Sequence, residues 1–488
     1  MSTALVWFRR DLRLADNPAL SAALERHEQV LPVYIDDADA ESPWAPGGAS
    51  RWWLHHSLAS LEHHLRALGS RLILRRGGSL EQLSQLVTLT GAEAVYWNRL
   101  YEPAFVGRDK HVKEVLRESG LIAESFNGAL LFEPWQLKTG TGDPYRVFSP
   151  FWRNAQPRLQ ERLANGQVPL PAPTALSSPG KLPDSASLES LHLLPRIAWD
   201  AGFHQTWQPG EAQAHERLQR FAGGPAARYR EQRDLPAVDA TSGLSPALHF
   251  GEVSPLQLVV RMQRLSASKP VAGIHANAEW FVRELGWREF AHHLLFHFPR
   301  TPEVPMYDKF GAFPWRARHE YAADLSAWQR GRTGVPIIDA GMRQLWRSGW
   351  MHNRVRMIVA SFLTKNLLIP WLEGARWFWD TLVDANLANN TLGWQWSAGC
   401  GADAAPYFRI FNPVLQSAKF DADGDYIRRW VPELAKLSGD ALHAPWQAKP
   451  AVLRAAGVAL GQTYPQPIVD LAESRARALA AYERIKAT

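Results

Sequence analysis

The segment GWMHNRVRM, residues 349–357, combines side chains that a structural helix seldom needs together. An indole, an amide, a guanidinium and a thioether come from four of its residues, Trp350, Asn353, Arg354 and Met357. At about 100° per residue these four fall within one arc of a helix, with Arg356 to one side. A core helix would repeat aliphatic residues on that arc, and a surface helix would repeat charge. The mixed face fits neither pattern.

Two other segments carry candidate binding groups. A run of small and hydroxyl residues precedes a predicted helix and comprises Thr241, Ser242, Gly243, Leu244 and Ser245. Hydroxyls and free N–H groups at a helix start bind anions, although an ordinary N-cap is the other interpretation. In RELGWREF, Glu284 and Arg288 stand at i, i+4 with Trp287 between them. That spacing predicts an ion pair, whereas a glutamate beside a tryptophan on a cavity wall would be functional.

The segment 382–413 uses residues that are poor choices for a helix interior. Its unusual members are the amides Asn386, Asn389 and Asn390 and the tryptophans Trp394 and Trp396, which follow a glycine. A segment with so little local helix preference is typical of a functional site.

Histidine pairs and a lone cysteine offer weaker signals. The metal candidates are His55/His56, His63/His64 and His292/His293 with His297. None has the glutamate or cysteine partners of a metal motif, so we expect packing or surface roles and no metal. Cys400 is the single cysteine, which excludes an internal disulfide and indicates a reducing compartment.

The bulk composition is that of a globular protein, and its charge leans modestly towards anionic partners. Hydrophobic residues make up 46%, and the formal net charge is +6. The N-terminal residues 1–17 resemble neither a signal peptide nor a membrane span, so we expect a cytoplasmic protein with no membrane partner. The 22 tryptophans fit a helical core, stacking platforms for bases or a route for electrons.

The elements divide the chain into two structural classes. Buried strands at 4–8, 30–35, 71–76 and 94–98 alternate with helices at 50–69 and 108–120. This rhythm predicts a doubly wound parallel sheet, although no G-x-G-x-x-G or Walker loop is present. Residues 155–200 lose periodicity and are rich in Pro, Ser and Gly, and helical patterns dominate afterwards, including 353–372. We therefore predict an α/β domain (1–130), a connector (131–205) and an all-α domain (206–488).

Five long motifs together resemble the photolyase/cryptochrome family: WFRRDLRLADNPAL (7–20), TSGLSP (241–246), LGWREF (285–290), GWMHNRVRM (349–357) and GADAAPYFRIFNP (401–413). The resemblance covers nearly the whole chain and is nearest to bacterial photolyases that act on cyclobutane pyrimidine dimers. It implies that the helical domain binds FAD in a folded conformation. It also implies light-driven DNA repair, in which one electron passes from reduced FAD to a flipped-out dimer and returns after the ring splits.

The resemblance assigns cofactor-binding roles by position. Tyr229 and the Thr241–Ser245 loop match contacts to the diphosphate and ribityl groups, and Arg288 also matches a cofactor position. Asp384 and Arg356 match an ion pair beside the flavin ring. Asn390 matches the residue that faces flavin N5, where a neutral amide suits an anionic reduced flavin.

One position departs from the family. Asn386 replaces the usual Asp at the pyrimidine edge of the flavin, so its amide would accept a hydrogen bond without adding charge. We expect this change to favour the anionic reduced flavin slightly.

The same comparison implies a lesion site for UV-damaged DNA. Glu284 would hydrogen-bond the dimer's base edges, while Trp287 and Trp396 would pack against its faces. Asn353 and Met357 stand where enzymes for (6-4) photoproducts typically have histidines, so the cyclobutane dimer is favoured. The residues that match contacts to the flanking strand are Arg233, Arg354 and Gln416.

Other family features imply an electron route and leave the antenna open. Trp394 and Trp371 match the first two members of a tryptophan chain, and Trp315 is the expected terminal donor, with Tyr321 as the alternative. Residues 101–109 lack an Asn-Glu pair that some folate-binding members carry. A reduced folate bound elsewhere, a deazaflavin and no antenna all remain open.

Four alternatives were weighed against dimer repair. They are a (6-4) photolyase, a blue-light receptor of the same fold, a flavin oxidoreductase and a non-enzymatic nucleic-acid binder. Asn390 disfavours the receptor, and the missing dinucleotide fingerprint disfavours the oxidoreductase. A binder would leave the Thr241 loop and Trp394 without a purpose. We expect the chain to be a monomer.

Overall fold

The N-terminal part is an α/β unit built on one parallel sheet. The structure is a computed structural model that describes residues 2–37, 43–268, 273–404 and 408–486. These residues form five strands: β1 (Thr3–Phe8), β2 (Gln29–Asp36), β3 (Ile73–Arg76), β4 (Ala94–Asn98) and β5 (Ile122–Phe126). Their order is β3-β2-β1-β4-β5, and every pairing is parallel. All six residues of β1 are buried, as expected for a strand covered on both faces.

Four helices connect the strands: α1 (Pro18–Arg26), α2 (Gly48–Ala67), α3 (Ser79–Thr90) and α4 (Pro103–Glu118). The right-handed strand–helix–strand connections place helices over both faces of the sheet. This architecture confirms the predicted doubly wound domain.

The connector contains a long helix that the sequence analysis did not anticipate. Helix α5 (Phe148–Ala164) continues through residues 155–164, where a loss of periodicity was expected, so that expectation is wrong for these ten residues. Its buried positions, Phe148, Phe151, Trp152, Ala155, Leu159 and Leu163, repeat at helical spacing. The helix tolerates an internal proline, Pro157, because its buried face packs into the helical core. The domain boundaries themselves stay a prediction.

The rest of the described chain is helical, as predicted. Its helices up to residue 348 are α6 (Phe203–Thr206), α7 (Glu211–Gly223), α8 (Tyr229–Gln232), α9 (Ser245–His249), α10 (Pro255–Ser268), α11 (Ile274–His297), α12 (Arg318–Gln329) and α13 (Pro336–Ser348). The remaining ones are α14 (Asn353–Ser361), α15 (Trp371–Thr381), α16 (Leu387–Ala398), α17 (Pro413–Phe420), α18 (Asp425–Trp430), α19 (Asp440–His443), α20 (Pro450–Ala456) and α21 (Leu471–Lys486). None of the described helices is long and apolar enough to cross a membrane.

The opening motif forms a turn and a helix instead of a single helix. Gly349 adopts a left-handed conformation (φ +66°) after α13, and α14 begins only at Asn353. Nδ1 of His352 caps the new helix by accepting from Arg354 N at 3.2 Å. The expected single helical arc is therefore wrong for Trp350, which lies in the turn.

The predicted helical stretch 353–372 is also interrupted. After α14 the chain forms a π-helical turn, Phe362–Asn366, and α15 starts at Trp371 directly after Pro370. Proline cannot continue a helix from the preceding turn, which explains the break.

The first motif of the chain joins the sheet to the helical part. The buried guanidinium of Arg13 donates to the carbonyls of Gly128 (2.7 Å) and Gly251 (2.9 Å). Glu211 of α7 accepts from the backbone N–H groups of Leu14 (2.7 Å) and Ala15 (2.9 Å). These contacts fix the helical domain against the carboxyl end of β1.

Candidate functional site

A buried ion pair joins helix α14 to the segment that precedes α16. Oδ2 of Asp384 lies 2.9 Å from Nη2 of Arg356 and accepts from Ser245 Oγ at 2.6 Å. The carboxylate side chain is 3% exposed. Its other oxygen, Oδ1, is buried and has no hydrogen-bond partner among the described residues. The structure thus brings Ser245, Arg356 and Asp384 together around one unsatisfied acceptor.

The loop before Ser245, the hydroxyl partner of Asp384, turns at a glycine with positive φ. Gly243 has φ +59°, and a Cβ there would lie 2.8 Å from Nη1 of Arg217. Only glycine adopts this conformation readily and leaves this space. Leu244 is buried, Ser242 Oγ accepts from its N–H at 3.4 Å, and α9 begins at Ser245.

Tyr229, which begins α8, is buried among aromatic rings. Its ring centroid lies 5.4 Å from that of Phe281 and 5.6 Å from that of Phe221. Burial raises the pKa of the phenol, so the side chain stays neutral. No hydrogen bond joins Tyr229 to Thr241 among the described residues.

Asn386, the N-cap of α16, and Asn390 within that helix are held by different partners. Asn386 caps the helix, because its Oδ1 accepts from Asn389 N at 3.1 Å. Its Nδ2 lies 3.4 Å from Nε2 of His292. Asn390 donates through Nδ2 to the carbonyl of Ala375 at 3.0 Å, which fixes its amide orientation.

His292 is a neutral partner for Asn386. Its Nδ1 lies 2.9 Å from the carbonyl oxygen of Arg288, and a carbonyl only accepts, so Nδ1 carries the hydrogen. Nε2 is then free to accept from Asn386. Burial lowers the pKa of His292 to about 3, which keeps the ring uncharged.

Glu284 and Arg288 do not pair with each other, so that expectation is wrong. Glu284 forms an ion pair with Arg233 of the segment after α8. Arg288 turns towards the N-terminal domain and donates to the carbonyl of Ala129 at 2.8 Å. The two side chains diverge because each has a better partner on another element than on α11.

The face of α14 beside Arg356 is the second part of the site. Met357 and Trp396 line one cavity together with Ser361 and Lys365. Nη2 of Arg354 lies 2.8 Å from Oδ2 of Asp234. Two consecutive residues of one helix thus have different places: Arg356 forms the buried ion pair, and Met357 lines this cavity. Asn353 begins the helix and is exposed.

The two predicted stacking tryptophans are positioned through Phe148 and Asp403. The ring of Trp287 stacks on that of Phe148 with centroids 3.7 Å apart. The Phe148 N–H donates to Asp403 Oδ1 at 3.4 Å, and Trp396 Nε1 donates to the Asp403 carbonyl at 3.1 Å. A single short network therefore holds both indoles.

Gln416 lies on α17, four residues before Phe420, so both occupy one face of that helix. The guanidinium carbon of Arg354 lies 4.4 Å from the centroid of the Phe420 ring. Phe420 thus places α17, which carries Gln416, beside Arg354, and both Arg354 and Gln416 are predicted to contact DNA. The motif 401–413 lies partly outside the described residues, at 405–407.

The predicted tryptophan chain lies in and against one hydrophobic core. Trp394 (2% exposed) and Trp371 (4%) are buried there, and Trp315 packs against it at the surface. Trp315 contacts Phe313 with ring centroids 4.4 Å apart. The alternative donor, Tyr321, donates to Glu373 Oε1 at 3.2 Å. The order of electron transfer among them stays a prediction.

Several histidines have packing partners. Nε2 of His293 accepts from Tyr145 N at 2.9 Å, and its Nδ1 lies 3.0 Å from the Pro134 carbonyl. His56 packs against Trp52 with ring centroids 4.6 Å apart. Within the described ranges, no group of three His, Cys, Asp or Glu side chains is placed to hold a metal ion.

Sequence reasoning missed four residues that shape the site: Asp234, His292, His352 and Phe420. Asp234 directly follows Arg233, but an acid in a basic segment carries no signal of its partner. His292 was considered only as a metal ligand. Contacts between distant elements define all four roles, so spacing along the chain does not reveal them.

Comparisons with known proteins agree with this geometry. The family model for DNA photolyase matches residues 4–174, and the one for the FAD binding domain of DNA photolyase matches residues 280–484. The deoxyribodipyrimidine photo-lyase of Agrobacterium fabrum is 49% identical over 99% of this chain and 98% of its own length. Cryptochrome-1 of Arabidopsis thaliana is 39% identical over 97% of this chain and 69% of its own length.

A solved structure is similar over the whole chain. The crystal structure of a bacterial class III photolyase from Agrobacterium tumefaciens superposes with a TM-score of 0.92 and 48% identity, covering 100% of this chain and 98% of that one. With this identity over its full length, the chain belongs to the photolyase/cryptochrome family and is an FAD-binding flavoprotein.

Proposed function

We propose that this protein repairs UV-damaged DNA in light by splitting cyclobutane pyrimidine dimers. The observation that carries the proposal is that two consecutive residues of α14 contact two different parts of the site. Arg356 pairs with buried Asp384, and the next residue, Met357, lines a cavity with Trp396. One rigid helix therefore presents Arg356 to the buried ion pair and Met357 to the neighbouring surface, where we propose that the lesion binds.

The buried ion pair fits the FAD that the family binds. Oδ1 of Asp384 lacks a partner within the described part of the chain, and an N–H group of a flavin ring would supply one. Arg356 lies beside it and favours an anionic, reduced ring. We propose that Tyr229, the Thr241–Ser245 loop and Arg288 hold the rest of the cofactor. Bound reduced FAD supplies the light-driven electron, and the protein supplies its position and a dry surrounding.

The lesion side fits a cyclobutane dimer better than a (6-4) photoproduct. We propose that Asn353 and Met357 line the pocket, where an amide and a thioether provide no acid–base group. Ring splitting by electron transfer needs no general acid. Glu284 would accept from the dimer's base edges, and its present partner, Arg233, would contact the adjacent phosphates.

Asn390 supports repair over light sensing. The fixed amide of Asn390 presents no charge towards the flavin's reacting edge, so it does not repel an anionic reduced ring. We propose that Trp394, Trp371 and Trp315 return an electron to oxidised FAD under light. We propose that the protein works as a monomer in the cytoplasm, a reducing compartment that its single cysteine suits.

A second cavity is the candidate position for an antenna chromophore. It lies at the carboxyl ends of β1 and β2, where the strand order reverses between β1 and β4, a common ligand position in such sheets. Trp7, Tyr34, Phe105 and Trp379 provide aromatic walls, and Arg108 provides a cation. The three alternatives are a reduced folate, a deazaflavin and no antenna at all. Mass spectrometry of the chromophores extracted from the purified protein distinguishes them.

The proposal is tested with two lesion substrates. The reduced, FAD-loaded protein is mixed with an oligonucleotide that carries one thymine dimer, and intact thymines are measured by chromatography after light or darkness. We expect the thymine dimer to be repaired in light and not in darkness. A matched oligonucleotide with a (6-4) photoproduct should not be repaired under either condition. Repair confined to the (6-4) substrate would identify the alternative enzyme, and no repair of either would favour a photoreceptor.

A further inference from the structure

An acidic side chain stands among the arginines that we propose to contact DNA. Oδ2 of Asp234 lies 2.8 Å from Nη2 of Arg354, and Oδ1 lies 4.0 Å from Nε of Arg233. The Asp234 side chain is 35% exposed. An anion at this position opposes the approach of a polyanion, so DNA attraction alone does not explain it.

Asp234 holds Arg354 in one orientation with the help of two other contacts. The guanidinium carbon lies 4.4 Å from the centroid of Phe420, and Nη1 lies 3.9 Å from Sδ of Met357. Met357 lines the cavity beside Trp396. Arg354 is therefore held against Met357 and Phe420 and is only 19% exposed.

We infer that Asp234 is a positioning residue that sets the selectivity of DNA binding, because it keeps Arg354 at the lesion cavity and withholds it from the phosphates of undamaged DNA. This inference rests on the proposed repair function. Undamaged DNA binds through its phosphates, so a captive arginine contributes little to its affinity. A strand with a flipped dimer meets Arg354 where it is already held, and so loses less ordering entropy.

The nearby pair Glu284–Arg233 makes this role specific to Asp234. Glu284 is needed for the dimer's base edges under the proposed function, so it must leave Arg233 when a lesion enters. Asp234 is then the remaining carboxylate near Arg233, at 4.0 Å, and it still restrains Arg354. His352, which packs beside this cluster, stays neutral because burial lowers its pKa to about 4.

The test is dark binding of FAD-loaded protein to one duplex, undamaged or with a single thymine dimer, over a range of salt concentrations. We expect Asp234→Asn to tighten the Kd for undamaged duplex about fivefold and to steepen its salt dependence by about 0.9 log units per log unit of salt, since one more arginine meets a phosphate. The Kd for the dimer duplex should change by less than about twofold. Asp234→Glu, which keeps the charge, should restore the wild-type ratio of the two values.

A matched control removes an aspartate from an equivalent ion pair elsewhere. Asp324 lies 2.7 Å from Arg316, with side chains 26% and 24% exposed. Asp324→Asn should leave the ratio of the two Kd values unchanged. Flavin absorbance and thermal midpoint verify folding of each variant, and Asp234→Ala replaces Asp234→Asn if the latter is unstable.

The outcomes separate this inference from the proposed function. Equal tightening on both duplexes in Asp234→Asn would show a charge effect without selectivity and would overturn the inference, as would no change on either. If Asp234→Asn gives one of these two results while the wild type prefers dimer DNA and repairs it, the inference fails and the proposed function stands. A wild type without that preference overturns both.

Discussion

Asp384 and Arg356 form an incomplete buried site. One carboxylate oxygen of Asp384 serves both Nη2 of Arg356 (2.9 Å) and Oγ of Ser245 (2.6 Å), and the other has no partner in the described structure. Buried acceptors are normally satisfied, so a donor from outside the chain must complete this one. One oxygen of Asp384 is thus satisfied by the protein, and the other is left for a donor group of the cofactor.

Removing the charge of Asp384 should release FAD. In Asp384→Asn, the amide oxygen keeps the position that faces Arg356 and Ser245, so the NH2 group would face the flavin N–H, and this unsatisfied pair of donors costs about 2 kcal/mol, or roughly a thirtyfold weaker Kd for FAD. The ratio of flavin to protein absorbance after dialysis measures the loss. Asp425→Asn, which removes an exposed partner of Arg428, is the control and should retain FAD. Full retention of FAD by Asp384→Asn would contradict this role.

Trp394 should respond to a single methyl group on the neighbouring helix. A Cβ at Gly374 would lie 2.0 Å from Cη2 of Trp394, so Gly374→Ala must displace the indole at a cost of about 1–3 kcal/mol. We expect slower light-driven reduction of FAD and a lower thermal midpoint. Gly393→Ala meets nothing within 4 Å and should stabilise α16 by about 0.5–1 kcal/mol with unchanged photoreduction. Photoreduction at the wild-type rate in Gly374→Ala would exclude Trp394 as the first donor.

Glu252 should make the stability of the protein depend on pH. Its buried carboxyl accepts from Trp53 Nε1 (2.9 Å) and Gly210 N (2.8 Å), and burial raises its pKa to about 7. The folded state therefore holds a proton that the unfolded state releases near its ordinary pKa of 4.5. The contribution of Glu252 to the free energy of unfolding is fully present below pH 4.5 and is lost as the pH rises through 7.

Glu252→Gln isolates that contribution. Between pH 5 and 7 the wild type should lose on the order of 1 kcal/mol per pH unit more than the variant, which keeps the acceptor but cannot ionise. Urea unfolding at several pH values measures the difference. Buried neutral histidines such as His292 are common to both proteins and cancel. Parallel pH profiles would show that Glu252 is not protonated in the folded state.

Asn386 should tune the flavin through its charge. Asn386→Asp places a carboxylate where the amide now contacts His292 at 3.4 Å, and a negative charge near the ring disfavours an anionic reduced flavin. We expect the flavin reduction potential to fall at pH 8, where His292 is neutral. At lower pH the new carboxylate raises the pKa of His292, and the resulting cation should offset the fall. A potential that is unchanged or higher at pH 8 would refute the effect.

Much of the fold followed from local patterns. The buried run at β1 and the amphipathic repeats of α2 and α4 predicted the doubly wound domain, because their periodicity depends on neighbours in sequence. Gly349 and Pro370 are local signals for a turn and a helix break. The single helices expected at 349–357 and 353–372 were wrong because the long apolar pattern was given more weight than these two residues.

The site depended on contacts that no local pattern encodes. Glu284 was expected to pair with Arg288, yet it pairs with Arg233 from another element. Asp234 and His292 gained roles only through partners 120 and 94 residues away. Residue types suggested the chemistry, and the tertiary fold decided which of them meet.

The fluorescence lifetime of bound reduced FAD tests the central claim most directly. If α14 places a dimer within electron-transfer distance of the flavin, a thymine-dimer oligonucleotide should shorten this lifetime and an undamaged one should leave it unchanged. Binding of both oligonucleotides is verified separately by anisotropy. An unchanged lifetime with the dimer oligonucleotide fully bound would contradict the claim.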